Sequence, residues 1–206
     1  MTVKLIVARH GNTFEPEETP RRVGAGTDLP LVVGGQEQAK KIGAFLKANR
    51  MIPDVVYTSH LKRTIETAEG ALKEMGVSRA LHKSDVFDEI NYGPDENQVE
   101  NNVVARLGPT AYNAWDFEGV MPKDWSPQPE VIRKRWQDFA KHCEKVHDNQ
   151  TVLVVTSNGI ARFAPEIANN ASDVVPDKKS KMSTGALSLF EGDGGLWMLA
   201  AWNRKP

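Results

Sequence analysis

Three short segments in which almost every residue is apolar predict buried β-strands. They cover residues 3–8, 54–57 and 151–156, and the β-branched residues valine and isoleucine are frequent in them. Strands of a parallel sheet are covered by helices on both faces, so they form continuous apolar runs instead of alternating with polar residues. The pattern therefore favours a parallel sheet.

Apolar residues recur at helical spacing in three other segments, residues 36–49, 65–75 and 132–146. The second segment is flanked by Ser59 and Gly76, which predict a helix that is capped by a serine and ends at a glycine. Strand and helix follow each other repeatedly along the chain. This order is typical of βαβ units.

Two long segments lack a regular pattern. Residues 12–35 predict a loop with turns, and residues 91–130 predict a lid-like insertion with one short helix from about residue 99 to 115. A glycine-rich turn within residues 185–202 predicts a C-terminal antiparallel hairpin. The order of elements indicates an α/β fold, a single three-layer α/β/α domain over residues 1–206 with a mostly parallel central sheet.

Composition and charge exclude several classes of protein. The chain has 206 residues, with 26 Lys+Arg against 27 Asp+Glu, so a disordered, fibrous or nucleic-acid-coating protein is not favoured. No apolar run approaches the ~18 residues that span a membrane, and Arg9 and His10 come before a signal-peptide core could form. The single cysteine, Cys143, cannot form an intramolecular disulfide and lies on an apolar helical stripe. We expect a cytoplasmic protein without nucleic-acid or membrane partners.

Polar residues follow each predicted strand of the sheet. They are Arg9-His10-Gly11, the segment 59–63 and Ser157-Asn158-Gly159. Ligands of parallel sheets bind beyond the carboxyl ends of the strands, so these segments are expected to meet in one pocket. An imidazole there can attack phosphorus while arginines neutralise the phosphoryl oxygens. From these residues alone, an ordinary loop histidine beside a surface arginine remains the alternative.

Longer motifs resemble those of the histidine phosphatase superfamily, also called phosphoglycerate mutase-like. Residues 9–13, Arg-His-Gly-Asn-Thr, match the family signature at the end of the first strand. Residues 59–68 match the pattern Ser-x-Leu-x-Arg-x-x-x-Thr-Ala. Asp28-Leu29-Pro30-Leu31, followed by Gly35, is similar to the segment that usually lies between them. The resemblance covers residues 3 to about 162.

The resemblance implies a phosphoglycerate mutase-like fold and a phosphatase activity. In such an enzyme His10 becomes phosphorylated, and Arg9, Arg63 and Asn12 bind the phosphoryl group. The implied activity is that of a metal-independent phosphomonoesterase that needs no cofactor and acts on a small phosphorylated substrate. Neither the substrate nor the oligomeric state can be inferred from the sequence.

The resemblance also implies a carboxylic acid that donates a proton to the leaving oxygen. Residues 87–93 are similar to a family segment Glu-x-x-x-Gly, which gives this role to Glu89, with the neighbouring Asp88 as the alternative. A proton donor must keep its proton near the working pH. We therefore expect burial to raise its pKa against the pull of the arginines.

The match to the family fails at one position after the strand 151–156. Family members usually carry a second histidine there, where this chain has Ser157. A serine can donate a hydrogen bond to a phosphoryl oxygen but brings no positive charge, and losing one such donor costs roughly 10²–10³ in rate. The alternative function is therefore a catalytically weak phosphate-binding or regulatory protein, in which Ser157 still contacts phosphate.

Other side chains of the two long segments either contact substrate or form an ordinary solvated surface. The charged ones are Arg21, Arg22, Arg106 and Lys123. Trp115 and Trp125 are expected to anchor the insertion or to stack on a substrate. His142 and His147 are five residues apart, which turns them to different faces of a helix, so we expect no shared metal site.

Overall fold

The computed structural model describes residues 2–176 and 180–206. The strands in this part of the chain are β1 (Thr2–Arg9), β2 (Val55–Thr58), β3 (Leu81–Lys83), β4 (Thr151–Thr156), β5 (Leu187–Asp193) and β6 (Leu196–Arg204). The α-helices are α1 (Val33–Ala48), α2 (Lys62–Met75), α3 (Glu100–Leu107), α4 (Pro109–Asn113), α5 (Pro129–Val146), α6 (Asn158–Ala161) and α7 (Ala171–Val174). No helix of this part is both long and apolar enough to cross a membrane.

The strands form one mixed sheet in the order β3-β2-β4-β1-β5-β6. The first four strands in this order are parallel, and β5 and β6 join them as an antiparallel hairpin. The predicted α/β fold with a mostly parallel sheet is therefore confirmed. The parallel arrangement brings the carboxyl ends of β1, β2 and β4 to the same edge of the sheet.

Successive residues of the central strands pack on opposite faces of the sheet. Leu5 and Val154 belong to the core that includes α5, whereas Ile6 and Leu153 belong to the core that includes α1 and α2. All four side chains are fully or almost fully buried. Because both faces are covered, the central positions of these strands must be apolar, which explains the nearly continuous apolar runs in the sequence.

The insertion differs from its predicted single helix. Gly108 has a φ of 78° and is followed by Pro109, so the predicted helix is divided into α3 and α4. A π-helical turn over Ala114–Glu118 follows and ends at Gly119, which has a φ of 71°. Gly108 and Pro109 together interrupt the helical hydrogen bonds between α3 and α4. The short strand β3 was not predicted, because three residues are too few to show a period.

Gly43 of α1 lies where the helix contacts α2. A Cβ at this position would be 2.4 Å from the carbonyl oxygen of Ala71 and 2.8 Å from the Cβ of Glu74. We expect Gly43→Ala to lower the free energy of unfolding by about 1–3 kcal/mol, because the helices must separate to accept the methyl group. Urea denaturation followed by circular dichroism measures this change.

Gly34, in the first turn of the same helix, provides the matched control. Apart from its chain neighbours and the backbone of its own helix, nothing lies within 4 Å of a Cβ built there. Gly34→Ala should leave stability unchanged or raise it by about 0.5–1 kcal/mol, since alanine restricts the unfolded chain. Similar losses in both variants would show that helix contact is not the cause.

Candidate active site

The end of β1 lies beside the end of β4. Arg9 pairs with Thr156 in the parallel register, and the backbone N–H of His10 donates to the Thr156 carbonyl at 3.0 Å. Ser157 directly follows the last residue of β4. Two of the predicted site segments therefore meet at the same edge of the sheet, as the strand order predicts.

His10 is a buried histidine with a defined tautomer. Its Nδ1 lies 2.7 Å from the carbonyl oxygen of Gly11, so Nδ1 carries the proton and Nε2 keeps its lone pair. Burial, and then the positive charges of Arg63 and Arg9, lower the pKa of His10 well below its usual value. The imidazole is therefore neutral at neutral pH, and Nε2 is available as a nucleophile.

Gly11 is required by a close approach of two backbone segments. A Cβ on Gly11 would lie 2.4 Å from the carbonyl oxygen of Gly35, at the start of α1. The N–H of Gly11 also donates to the hydroxyl of Thr67 on α2 at 3.1 Å. The loop that carries His10 is thus held against both helices, which restricts where the imidazole can lie.

Arg9 and Arg63 both lie near His10, but only Arg9 can be reached from the cavity. Arg9 lines the cavity described below and donates from one terminal nitrogen to the carbonyl of Met182. Arg63 is fully buried and is not part of the cavity lining; it donates to the carbonyls of Thr27 at 2.8 Å and Gly24 at 3.1 Å. The buried Nε atoms of both arginines have no protein hydrogen-bond partner.

Glu89, the predicted proton donor, and Asp88, its alternative, contact different parts of the molecule. Glu89 lines the cavity, and its carboxylate accepts from the N–H of Ile90 at 2.9 Å and of Gly159 at 3.1 Å. Asp88 instead accepts from the N–H and Nδ1 of His60. Burial raises the pKa of Glu89, opposed by the two N–H groups and the arginines. A Cβ on Gly159 would lie 2.3 Å from the carboxylate, so only glycine allows this contact.

Ser157 is fully buried, and its hydroxyl has no protein hydrogen-bond partner. It is not part of the cavity lining, whereas the next residue, Asn158, is. The Asn158 side chain is already engaged, because its carbonyl oxygen accepts from the N–H of Met182 at 2.8 Å. Because its side chain is an uncharged amide, Asn158 adds no positive charge where the usual histidine is missing.

Arg162 is a buried cation that the sequence analysis did not identify. Its guanidinium lies 4.3 Å from the centre of the Trp115 ring and donates to the carbonyl of Asp116 at 2.9 Å and to the Ser180 hydroxyl. One terminal nitrogen is buried without a partner. Arg162 thus connects the loop after β4 to the insertion. The available signal in the sequence was an arginine six residues after the end of β4.

The loop of residues 12–35 is fixed by carboxylates that accept from backbone N–H groups. Asp28 accepts from Lys62 N–H at 2.7 Å, at the start of α2, and Glu66 accepts from Leu31 N–H at 2.7 Å. Helix α2 therefore begins at Lys62 and is held by Asp28 instead of the predicted cap Ser59, whose hydroxyl contacts Thr64. Gly76 ends the helix as predicted.

A cavity of about 530 Å³ opens in front of His10. Loop 12–35 and the insertion form its walls, and Asn12 lies in its lining. The backbone N–H of Asn12 donates to Gln38 at 2.8 Å. Among the proposed site residues, the structure thus places Arg9, His10, Asn12 and Glu89 in one cavity and Arg63 and Ser157 in the buried region around it.

Some of the other candidates of the two long segments line the cavity, and the others lie outside it. Arg21, Arg22 and Trp115 line the cavity. Arg106 does not, because it pairs with Asp95 and with Asp124 at 2.7 Å, and the indole of Trp125 donates to the same Asp95 at 2.8 Å. Lys123 is exposed and also outside the cavity lining. Trp125 therefore anchors the insertion.

His142 and His147 were predicted to lie on different faces of a helix, and this prediction was wrong, because their ring centres are 5.4 Å apart. The Tyr57 hydroxyl lies 2.9 Å from Nε2 of His147 and 3.5 Å from Nε2 of His142. Helix α5 ends at Val146, so His147 departs from the helical phase on which the prediction relied. Among the described residues, no group of three or more histidine, cysteine or acidic side chains could hold a metal ion.

Solved structures of similar shape support the fold. The α-ribazole phosphatase from Shigella flexneri superposes with a TM-score of 0.74 at 19% identity, covering 98% of this chain and 96% of that one. A mycobacterial glucosyl-3-phosphoglycerate phosphatase, solved with VO3, gives 0.78 at 18% identity, covering 97% and 98%. YhfR from Bacillus stearothermophilus gives 0.77 at 23% identity, covering 98% and 96%.

The family model of the histidine phosphatase superfamily (branch 1) matches residues 5–205, which is nearly the whole chain. The match includes the ends of the two strands that His10 and Ser157 follow. It also includes the C-terminal hairpin, which lies beyond the part of the chain in which the motifs were recognised. The protein therefore belongs to the histidine phosphatase superfamily, branch 1.

Proposed function

We propose that the protein is a phosphomonoesterase that works through a phosphohistidine at His10. One observation carries the proposal: the Nε atoms of Arg9 and Arg63 and the hydroxyl of Ser157 are buried without protein partners, in the residues around His10. Buried polar atoms without partners are costly, and an oxyanion bound in the cavity would accept a hydrogen bond from Arg9, which lines it, while Arg63 and Ser157 lie in the buried region around it. The neutral Nε2 of His10 supplies the nucleophile for such an anion.

The proposed reaction has two steps. Nε2 of His10 forms a bond to phosphorus while the bond to the leaving oxygen breaks, and protonated Glu89 gives its proton to that oxygen. Water then attacks the phosphohistidine, Glu89 takes a proton from this water, and His10 is released with inorganic phosphate. Arg9 and Arg63 stabilise the charge on the phosphoryl oxygens in both steps.

The similar structures support an ester of phosphate as substrate. Two of them are phosphatases by name, of α-ribazole phosphate and of glucosyl-3-phosphoglycerate. They share 18–19% identity with this chain, so they support the reaction class and not a particular substrate. We propose a small phosphorylated substrate, with residues 91–130 acting as a lid within a single domain and a cytoplasmic location.

Hydrolysis of p-nitrophenyl phosphate in the presence of EDTA tests the proposed function. We expect turnover that chelation leaves unchanged and that vanadate inhibits in a separate assay without EDTA, because vanadate occupies the same oxyanion site. Vanadate should also raise the melting temperature, since it binds only the folded protein. A protein that neither hydrolyses this ester nor gains stability with vanadate would refute the proposal.

A weak phosphate-binding or regulatory function is the second candidate, favoured by the uncharged Ser157. In that case vanadate raises the melting temperature while turnover of the aryl ester stays at background. The site then keeps its phosphate-binding groups but lacks sufficient stabilisation of the transition state.

Ser157→His distinguishes the two candidates. Because an imidazolium adds a positive charge next to the phosphoryl group, we expect the variant to increase kcat by roughly 10²–10³ if the missing cation limits the wild-type rate. Steady-state kinetics with p-nitrophenyl phosphate measure the change. Wild-type turnover at background together with this gain supports the regulatory candidate. If the wild type is active and kcat does not rise in Ser157→His, the site with Ser157 is sufficient for turnover.

A further inference from the structure

The cavity beyond the phosphoryl site contains two cations that are already paired with carboxylates. Arg22 lies 2.6 Å from Glu100, and Lys181 lies 2.9 Å from Asp116. All four residues line the cavity. Their charges cancel, so this part of the wall offers no net attraction to a second anionic group on a substrate.

The ion pair between Arg22 and Glu100 is held in place by packing in the cavity wall and is not an exposed surface contact. Arg22 is 7% exposed, and its guanidinium lies within 5.0–5.4 Å of the ring centres of Tyr92, Tyr112 and Trp125. The same Glu100 oxygen that accepts from Arg22 also accepts from the Tyr112 hydroxyl at 2.9 Å. Packed rings and a shared acceptor hold both charges in one geometry.

The remaining charged residues of loop 12–35 in the cavity lining are no more favourable to an anion. They are Arg21, Glu15 and Glu18, which together carry one more negative than positive charge. A leaving group with a carboxylate or a second phosphate would therefore meet carboxylates on this loop and again at Glu100. Like charges in the lining disfavour binding of a second anionic group.

We propose that the leaving group of the substrate is an uncharged alcohol with several hydroxyl groups, recognised by Arg22 and Glu100. The inference rests on the proposed phosphatase function. A guanidinium donor beside a carboxylate acceptor suits neighbouring hydroxyls, each of which can both donate and accept. Phe14 and Tyr112, both partly exposed, supply the apolar surface against which the carbon skeleton of a polyol or sugar packs.

Glycerol 3-phosphate and 3-phosphoglycerate provide a matched pair of substrates, because the first has a hydroxymethyl group where the second has a carboxylate. We expect the wild type to prefer glycerol 3-phosphate in kcat/KM by at least about tenfold, the effect of one unfavourable charged contact. In Glu100→Gln, Arg22 loses its counter-charge while the amide oxygen can still accept from it. The preference should then shift by about tenfold or more towards 3-phosphoglycerate.

Glu130→Gln is the control, because Glu130 is exposed on α5 and outside the cavity lining. It should leave the preference unchanged. A wild-type preference for 3-phosphoglycerate, or an unchanged preference in Glu100→Gln that still binds vanadate, would overturn the inference. If Glu100→Gln does not fold, the wild-type preference decides alone. Loss of turnover with every ester, p-nitrophenyl phosphate included, would instead refute the phosphatase proposal, and the inference with it.

Discussion

Replacement of His10 by asparagine should reduce hydrolysis of p-nitrophenyl phosphate by roughly four to six orders of magnitude, the range seen when an enzyme loses its nucleophile. The asparagine amide can donate to the Gly11 carbonyl as Nδ1 of His10 does. It cannot supply a second nitrogen with a free lone pair. The variant should therefore fold and bind vanadate, but it should form no phosphoenzyme after mixing with labelled substrate.

His82→Asn is the control for this experiment, because His82 is exposed on β3 and outside the cavity lining. It should keep wild-type kinetics. If His10→Asn retained more than about a tenth of the activity, another group would have to attack phosphorus. The arrangement of Arg9, Arg63 and Glu89 around the imidazole would then have a different purpose.

The sequence predicted which site residues follow the strands, but not all the contacts that surround them. His10 and Ser157 were predicted to lie together because each follows an apolar strand, and parallel strands end at the same edge. The register of β1 and β4 confirms this. The position of a residue after an apolar strand depends only on its neighbours in sequence, and the rule for parallel strands then brings such residues together. Both can be recognised from the sequence.

Other features depend on contacts between residues that are distant in sequence. Asp88 and Glu89 are neighbours, yet one binds His60 and the other faces the cavity, which no local pattern distinguishes. The pair of Arg22 and Glu100 joins residues 78 positions apart. These pairings become visible only when the loop and the insertion are placed over the sheet.

The pH dependence of the reaction follows from two buried groups whose pKa values move towards each other. Burial and the arginines lower the pKa of His10 well below 6.5, and burial raises the pKa of Glu89 above 4.5. The active form has neutral His10 and protonated Glu89. Activity should therefore fall at low pH as His10 gains a proton, and at higher pH as Glu89 loses one.

Glu89→Gln should remove the fall at higher pH, because glutamine has no proton to lose. It should also lower kcat for alkyl phosphates by about 10²–10⁴, the usual contribution of general acid catalysis. The loss should be much smaller for p-nitrophenyl phosphate, because nitrophenolate leaves without help from an acid. Rates for both esters across the pH range measure this difference.

Stability provides an independent check on the same carboxyl group. A carboxyl whose pKa is raised by folding destabilises the folded state as the pH rises through that pKa, because the buried charge is costly. Glu89→Gln should therefore raise the melting temperature at neutral pH while it lowers kcat. Asp88→Asn, whose side chain faces His60, should keep the pH profile of the wild type. A pH profile that changes with Asp88→Asn and not with Glu89→Gln would exchange the roles of the two residues.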